Sequence, residues 1–150
     1  MRHCFLCLLT LLLGGCQLTG GDGQGAADKV LQAWAEAYFN YDYEEALELM
    51  APESGKWIHF AASNITEKDV EVLQQKAKDA SVTILNNHVA ETDTLTVATI
   101  EVTDFYEHSD LLGEGKIVDK ATFHITLVKR DGRWMVRTEG LPQSERQSRD

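Results

Sequence analysis

The side chains best suited to acid–base or metal chemistry in this chain are its histidines and clustered carboxylates. Beyond the N-terminal apolar segment the histidines are His59, His88, His108 and His124. None of them stands at zinc-ligand spacing from another. The acidic cluster that contains a histidine is Asp104, Glu107, His108 and Asp110. Its spacing matches no known cation-binding loop, so we predict a solvated loop, with no catalytic residue, metal or cofactor.

Cys16 is a further reactive side chain, and it closes an apolar N-terminal segment. Arg2 precedes a mostly apolar run at residues 4–13, which is too short for a membrane span of about 20 residues. The segment is typical of a secretory signal. Leu13-Gly14-Gly15-Cys16 closely resembles the lipobox of bacterial lipoproteins. The resemblance implies cleavage after a signal peptide at 1–15 and acyl chains, such as palmitate, on Cys16.

The residues after Cys16 indicate where the protein is held. Residues 17–27 contain four glycines, so we predict that 16–27 is a lipidated cysteine with a flexible tether. Gln17 stands where an aspartate favours inner-membrane retention in enterobacterial lipoproteins. The resemblance therefore implies an extracytoplasmic protein of the cell envelope, anchored to the membrane through Cys16, in the outer membrane if the organism is Gram-negative.

The charge and the cysteine content limit which partners and which stabilising bonds this chain can have. The formal net charge is −10 and the basic residues are scattered, so nucleic acid is not an expected partner. Cys4 and Cys7 lie within the signal and Cys16 carries lipid, which leaves no cysteine for a disulfide. What remains is long enough for one domain with a packed core. We place this domain at residues 28–138, followed by a polar, frayed tail at 139–150.

Apolar periodicity predicts helices in the first half of the domain. The first helix has apolar residues spaced by three or four at Val30, Leu31, Trp34, Tyr38 and Tyr41. Asp42 with Glu45, and Thr66 with Asp69, have the spacing of N-terminal capping boxes for a second and a third helix. Residues 53–64 show no clear period and are expected to form a loop or partial helix over the core.

The second half alternates in polarity and predicts strands. These strands cover about 82–90, 94–106, 117–128 and 134–138, and Asp131-Gly132 is a strong hairpin turn before the last one. One apolar and one polar face indicate antiparallel pairing. Helices followed by strands predict an α+β domain in which helices cover one face of the sheet.

Two segments carry a resemblance to a known fold. The turn at 40–50 into the second helix and the hairpin at 127–134 look like the nuclear transport factor 2-like fold, and are most similar to small bacterial lipoprotein domains of unknown function. This resemblance implies a cone of about three N-terminal helices on a curved antiparallel sheet of four or more strands. It also implies an apolar pocket at the open end of the cone. The expected pocket residues are Trp34, Tyr38, Trp57, His59 and Phe60.

The sequence leaves three kinds of function open. We favour a non-enzymatic domain that binds a small hydrophobic ligand or acts as an accessory module. The alternative is an enzyme of the ketosteroid isomerase or polyketide cyclase type, with Tyr38 as oxyanion donor, but the run after Pro52 lacks the aspartate of the isomerases. The third is a protein-interaction or inhibitor module that docks, or forms a homodimer, through its sheet face.

Overall fold

The computed structural model describes residues 23–108 and 115–146, where helices come first and a sheet follows. The predicted signal, Cys16 and residues 17–22 lie outside the described residues. The helices are α1 (Gly23–Phe39), α2 (Tyr43–Glu48), α3 (Gly55–Ser63) and α4 (Glu67–Gln75), with a 3-10 turn at Pro52–Ser54 before α3. The strands are β1 (Ser81–Asn86), β2 (Leu95–Glu107), β3 (Lys116–Arg130) and β4 (Arg133–Arg137). None of the helices in the described part is long and apolar enough to cross a bilayer.

The strands form an antiparallel sheet in the order β1-β2-β3-β4, so each pairs with its neighbour along the chain. One face of the sheet is apolar, and its residues pair across the strands, as Ile100 does with Phe123. Helix α1 packs on this face and contacts β1, β2 and β4. The predicted α+β architecture, with N-terminal helices on an antiparallel sheet, is confirmed. It is the arrangement that the nuclear transport factor 2-like resemblance implies.

The opposite face of the sheet is solvent-exposed and mixes polar with aliphatic side chains. At its centre Thr99 pairs with His124, with 3.1 Å between Thr99 Oγ1 and His124 Nδ1. Leu95 and Val97 are exposed near one end of β2. Within the described ranges the large apolar side chains exposed on strands are all aliphatic. An exposed aromatic patch on this face would favour docking of a partner through the sheet. This part of the chain has no such patch.

Helix α1 begins earlier than the sequence predicts. The predicted tether extends to Ala27, but Gly23–Ala27 already belong to α1. Ala27 is completely buried, and the side-chain amide of Gln24 donates a hydrogen bond to the carbonyl oxygen of Asn87. These tertiary contacts outweigh the low helix propensity of the two glycines in this turn. The predicted boundary at residue 28 therefore falls inside α1.

The segment predicted as a loop or partial helix at 53–64 is helical. It forms the 3-10 turn followed by α3. Ile58 and Ala61 stand three residues apart and are both buried, as expected for the inward stripe of a short helix. Its period was hidden in the sequence because Trp57 and Phe60, which are apolar, lie outside that stripe, and Phe60 is 50% exposed.

Both predicted N-cap residues are confirmed, but only the second of the two predicted capping boxes is complete. Asp42 precedes α2, and its carboxylate accepts a hydrogen bond from the backbone N–H of Glu45. Thr66 and Asp69 form a full capping box at the start of α4. Helix α4 ends at Gln75, and its Val70 is 40% exposed. The cap therefore fixes the start of α4 more firmly than apolar burial fixes its length.

The predicted tail at 139–150 is not frayed in its first part. Ser144 is buried and forms an isolated bridge with Phe123 of β3. The backbone N–H of Glu145 donates to the carbonyl oxygen of Thr122 at 3.0 Å. We call residues 139–146 the C-terminal strap. Backbone pairing with β3 holds this strap in place despite its polar composition, and residues 147–150 lie outside the described part.

Candidate functional site

A cavity of about 290 Å³ lies where the C-terminal end of α1, the link between α3 and α4, the C-terminal end of β2, the middle of β3 and the C-terminal strap meet. Seven of its fifteen described lining residues are phenylalanines or tyrosines, and Glu107 and His108 bring ionisable groups to it. The described residues that line it are Tyr38, Phe39, Tyr41, Tyr43, Ala61, Asn64, Ile65, Phe105, Tyr106, Glu107, His108, Phe123, Leu141, Pro142 and Gln143.

Of the five residues predicted for the pocket, one is among the described residues that line the cavity. Tyr38 lines the cavity. Trp34 lies behind it, completely buried, with the two rings stacked at 5.1 Å between centroids. Trp57, His59 and Phe60 are on α3 but are not among the described lining residues. Helix α3 instead contributes Ala61, because its inward stripe runs through Ile58 and Ala61.

Tyr41 and Tyr43 extend the aromatic wall beyond the end of α1. Tyr41 has a positive φ of 63°, a conformation that is rare for a bulky side chain. Its hydroxyl donates a hydrogen bond to the carbonyl oxygen of Tyr106 at 2.7 Å, which holds it there. Burial, with neighbouring tyrosines as a smaller cause, raises the pKa of Tyr41, and burial likewise raises the pKa of Tyr43. Both phenols therefore stay protonated at neutral pH.

A left-handed residue in β2 redirects the end of that strand. Asp104 has a φ of 55°, and its carbonyl oxygen accepts a hydrogen bond from Lys76 Nζ at 2.6 Å. Before this point buried residues alternate with less buried ones, whereas Phe105 and Tyr106 are consecutive and both buried. Phe105 packs on Phe39 in the core. Tyr106 instead contacts Asp69 of α4. Both Phe105 and Tyr106 line the cavity.

Tyr106 binds the carboxylate of Asp69, which is 4% exposed. The Tyr106 hydroxyl donates to Asp69 Oδ1 at 2.7 Å. Asp69 Oδ2 accepts from the backbone N–H of Thr66 at 2.8 Å and from its hydroxyl at 2.7 Å. Burial opposes ionisation of this carboxyl, but the hydrogen bonds from Tyr106 and Thr66, with the charge of His108, lower its pKa to about 2. Asp69 is therefore ionised across the physiological pH range.

His108 connects this carboxylate to the cavity. Its Nδ1 lies 3.2 Å from Asp69 Oδ2, and its side chain is 22% exposed. The ring also lines the cavity. This nitrogen is buried and has no hydrogen-bond partner in the described part of the structure, so its contact with Asp69 is one of proximity. The preceding residue, Glu107, forms an ion pair with Lys116, with 3.6 Å between Glu107 Oε2 and Lys116 Nζ.

Gly115 leaves room for Tyr106. A Cβ atom at residue 115 would stand 2.3 Å from the Tyr106 hydroxyl oxygen and 2.7 Å from the Glu107 carbonyl oxygen. Such distances are shorter than any ordinary van der Waals contact. The absence of a side chain at this position therefore permits the hydrogen bond between Tyr106 and Asp69.

The acidic cluster singled out in the sequence is divided in the structure. The backbone of Asp104 binds Lys76, Glu107 pairs with Lys116, and His108 faces Asp69. Asp110 lies outside the described residues. Among the residues that are described, no group of three or more metal-ligating side chains could hold an ion.

Comparison with known proteins gives weak matches. No protein-family model and no curated protein matches the chain. It is similar to the crystal structure of a protein assigned as a polyketide cyclase from Xanthomonas campestris pv. campestris, with 16% identity, a TM-score of 0.43, and coverage of 74% of this chain and 86% of that one. It is also similar to AclR, a protein assigned as a hydroxylase from Streptomyces galilaeus, with 11% identity, a TM-score of 0.39, and coverage of 78% and 92%.

Proposed function

We propose that this protein is a lipid-anchored, extracytoplasmic domain that binds a small molecule without transforming it. The observation that carries the binding function is the cavity of about 290 Å³ at the end of α1. Its size is near the lower end of ligand pockets, which begin at about 300 Å³. Rings supply apolar contact area, and a few polar groups at one side can fix the orientation of a ligand. That combination is typical of preformed small-molecule sites.

Titration with a fluorescent hydrophobic probe tests this function. The wild-type domain should bind the probe saturably at one site. Tyr43→Ala should weaken binding about fivefold, because it removes a ring from the wall and aromatic contacts contribute on the order of 1 kcal/mol each. Phe60→Ala is the matched control, since this ring is exposed on α3 and is not a described lining residue. Non-saturable binding to the wild type, or equal effects of both substitutions, would contradict the proposal.

The proposed anchor is Cys16, and its support is the sequence Leu13-Gly14-Gly15-Cys16. Two or three acyl chains hold a protein firmly to a bilayer, whereas one chain gives marginal attachment. We therefore expect wild-type protein to fractionate with membranes and Cys16→Ser to be soluble and unlipidated. Membrane fractionation with mass spectrometry of the N-terminus measures both properties. Continued membrane association of Cys16→Ser would contradict the proposed anchor.

One observation favours a second candidate function, an enzyme that uses acid–base chemistry. His108 lines the cavity while its Nδ1 faces the Asp69 carboxylate at 3.2 Å. In such a pair the histidine can accept a proton from a bound molecule through its other nitrogen, and the carboxylate beside the ring would stabilise the positive charge that forms. The discriminating result is conversion of a bound ligand by the wild type that is lost in His108→Gln while affinity is retained. Unchanged ligand after prolonged incubation with the wild type supports binding alone.

A further inference from the structure

Three neighbouring tyrosine rings belong to the cavity wall, with Tyr43 between Tyr38 and Tyr41. The Tyr38 and Tyr43 ring centroids are 5.7 Å apart with planes at 42°, and those of Tyr41 and Tyr43 are 5.4 Å apart with planes at 40°. Neither pair of ring planes is parallel, so the three rings do not form a flat stack. A group held against this wall can approach more than one ring.

The charges around the cavity favour a positive ligand group. Among the lining residues that the structure describes, Glu107 is a carboxylate and none is a lysine or arginine. Lys116, the partner of Glu107, has a side chain that is 74% exposed, whereas that of Glu107 is 23% exposed. The ring of His108, which also lines the cavity, faces the Asp69 carboxylate with 3.2 Å between Nδ1 and Oδ2. Solvent therefore screens Lys116 more than it screens the carboxylate beside the cavity.

We infer that the cavity binds the ammonium group of an organic cation, such as trimethylammonium, against Tyr38, Tyr41 and Tyr43, with Glu107 as its counter-charge. The inference rests on the proposed binding function and names the ligand class of that same cavity. Aromatic faces attract cations through the ring quadrupole, and this attraction is strongest where water is excluded. Several rings around one cation form the kind of cage that recognises quaternary ammonium groups.

A matched pair of probes isolates the contribution of charge. Choline and 3,3-dimethylbutan-1-ol have nearly the same shape, but only choline is charged. Isothermal titration calorimetry of the full-length protein should give a dissociation constant for choline that is lower than that for the alcohol by about tenfold or more. Equal affinity for both compounds would overturn the inference.

Two glutamates on β2 provide matched variants. Glu107 pairs with Lys116 at 3.6 Å beside the cavity, and Glu101 pairs with Lys120 at the same distance without lining it. Glu107→Gln should weaken choline binding about tenfold and leave the alcohol nearly unchanged. Glu101→Gln should alter neither. Equal effects of the two variants on choline would show that only net charge matters and would overturn the assignment of Glu107.

The hydrophobic-probe titration separates failure of this inference from failure of the binding function. If the neutral probe saturates the cavity and choline does not compete with it, the cavity binds ligands but the cation assignment is wrong. If neither probe nor choline binds, both proposals are wrong. Competition by phosphatidylcholine vesicles as well as by choline would support a lipid headgroup as the source of the cation, and competition by choline alone would support a free molecule.

Discussion

Replacing Trp134 by alanine should lower the free energy of unfolding by about 3 to 5 kcal/mol, as for other buried large aromatics. Trp134 is 3% exposed and stands near the start of β4, opposite Lys129 of β3. Its indole N–H has no hydrogen-bond partner in the described part of the structure. The loss should therefore come from packing and from the cavity that is left, rather than from a broken hydrogen bond.

Trp57→Ala is the matched control for this substitution. Trp57 is only partly buried on α3, where its ring meets Phe60 and Lys56. Its replacement should cost about 1 kcal/mol or less, because the lost area is already in contact with water. Urea unfolding followed by circular dichroism measures both changes. A loss below about 1 kcal/mol for Trp134→Ala would be inconsistent with its place in the core.

Asp69→Asn should lower the free energy of unfolding by about 1 to 3 kcal/mol. Thr66 and Tyr106 donate three hydrogen bonds to the carboxylate, whereas an amide offers one acceptor oxygen and a donor that faces other donors. Asp42→Asn is the control. Asp42 is an exposed cap, and asparagine caps helices as well as aspartate does, so its stability should be nearly unchanged.

Acid should reveal the same interaction. The pKa of Asp69 falls from an ordinary value of 3.8 to about 2 in the folded chain. Its charge therefore stabilises the fold above about pH 4, and this contribution is lost as pH falls towards 2. The difference in stability between wild type and Asp69→Asn should narrow over that window. A difference that stays constant from about pH 5 to 2 would show that ionisation of Asp69 is not linked to folding.

Local signals account for what the sequence predicts well. The capping box at Thr66 needs only residues three apart, and the hairpin at Asp131-Gly132 needs only two residues that tolerate positive φ, which are 53° and 76° here. Polarity alternation likewise identifies β2, β3 and β4. These features require no knowledge of the rest of the chain, so the α+β class follows from them.

The candidate site depends on contacts that no local pattern contains. Asp69 is recognisable in the sequence as a cap residue, but its bond to Tyr106 joins residues 37 positions apart. That bond exists because Asp104 turns the end of β2 with a positive φ. The C-terminal strap is similarly non-local, since backbone pairing with β3 brings Leu141, Pro142 and Gln143 to the cavity. The sequence placed Tyr38 near a pocket, but not these partners.

The length of α1 separates the proposed membrane anchor from the cavity where ligands would enter and leave. Residues 17–22 separate the proposed anchor from Gly23, where α1 begins, while Tyr38 and the cavity are at the other end of this helix. A helix of 17 residues spans about 25 Å. Under the proposed anchoring, the tethered pole and the binding pole of the domain are opposite. Shortening the tether would bring the tethered pole closer to the bilayer. The binding pole would still face the surrounding water.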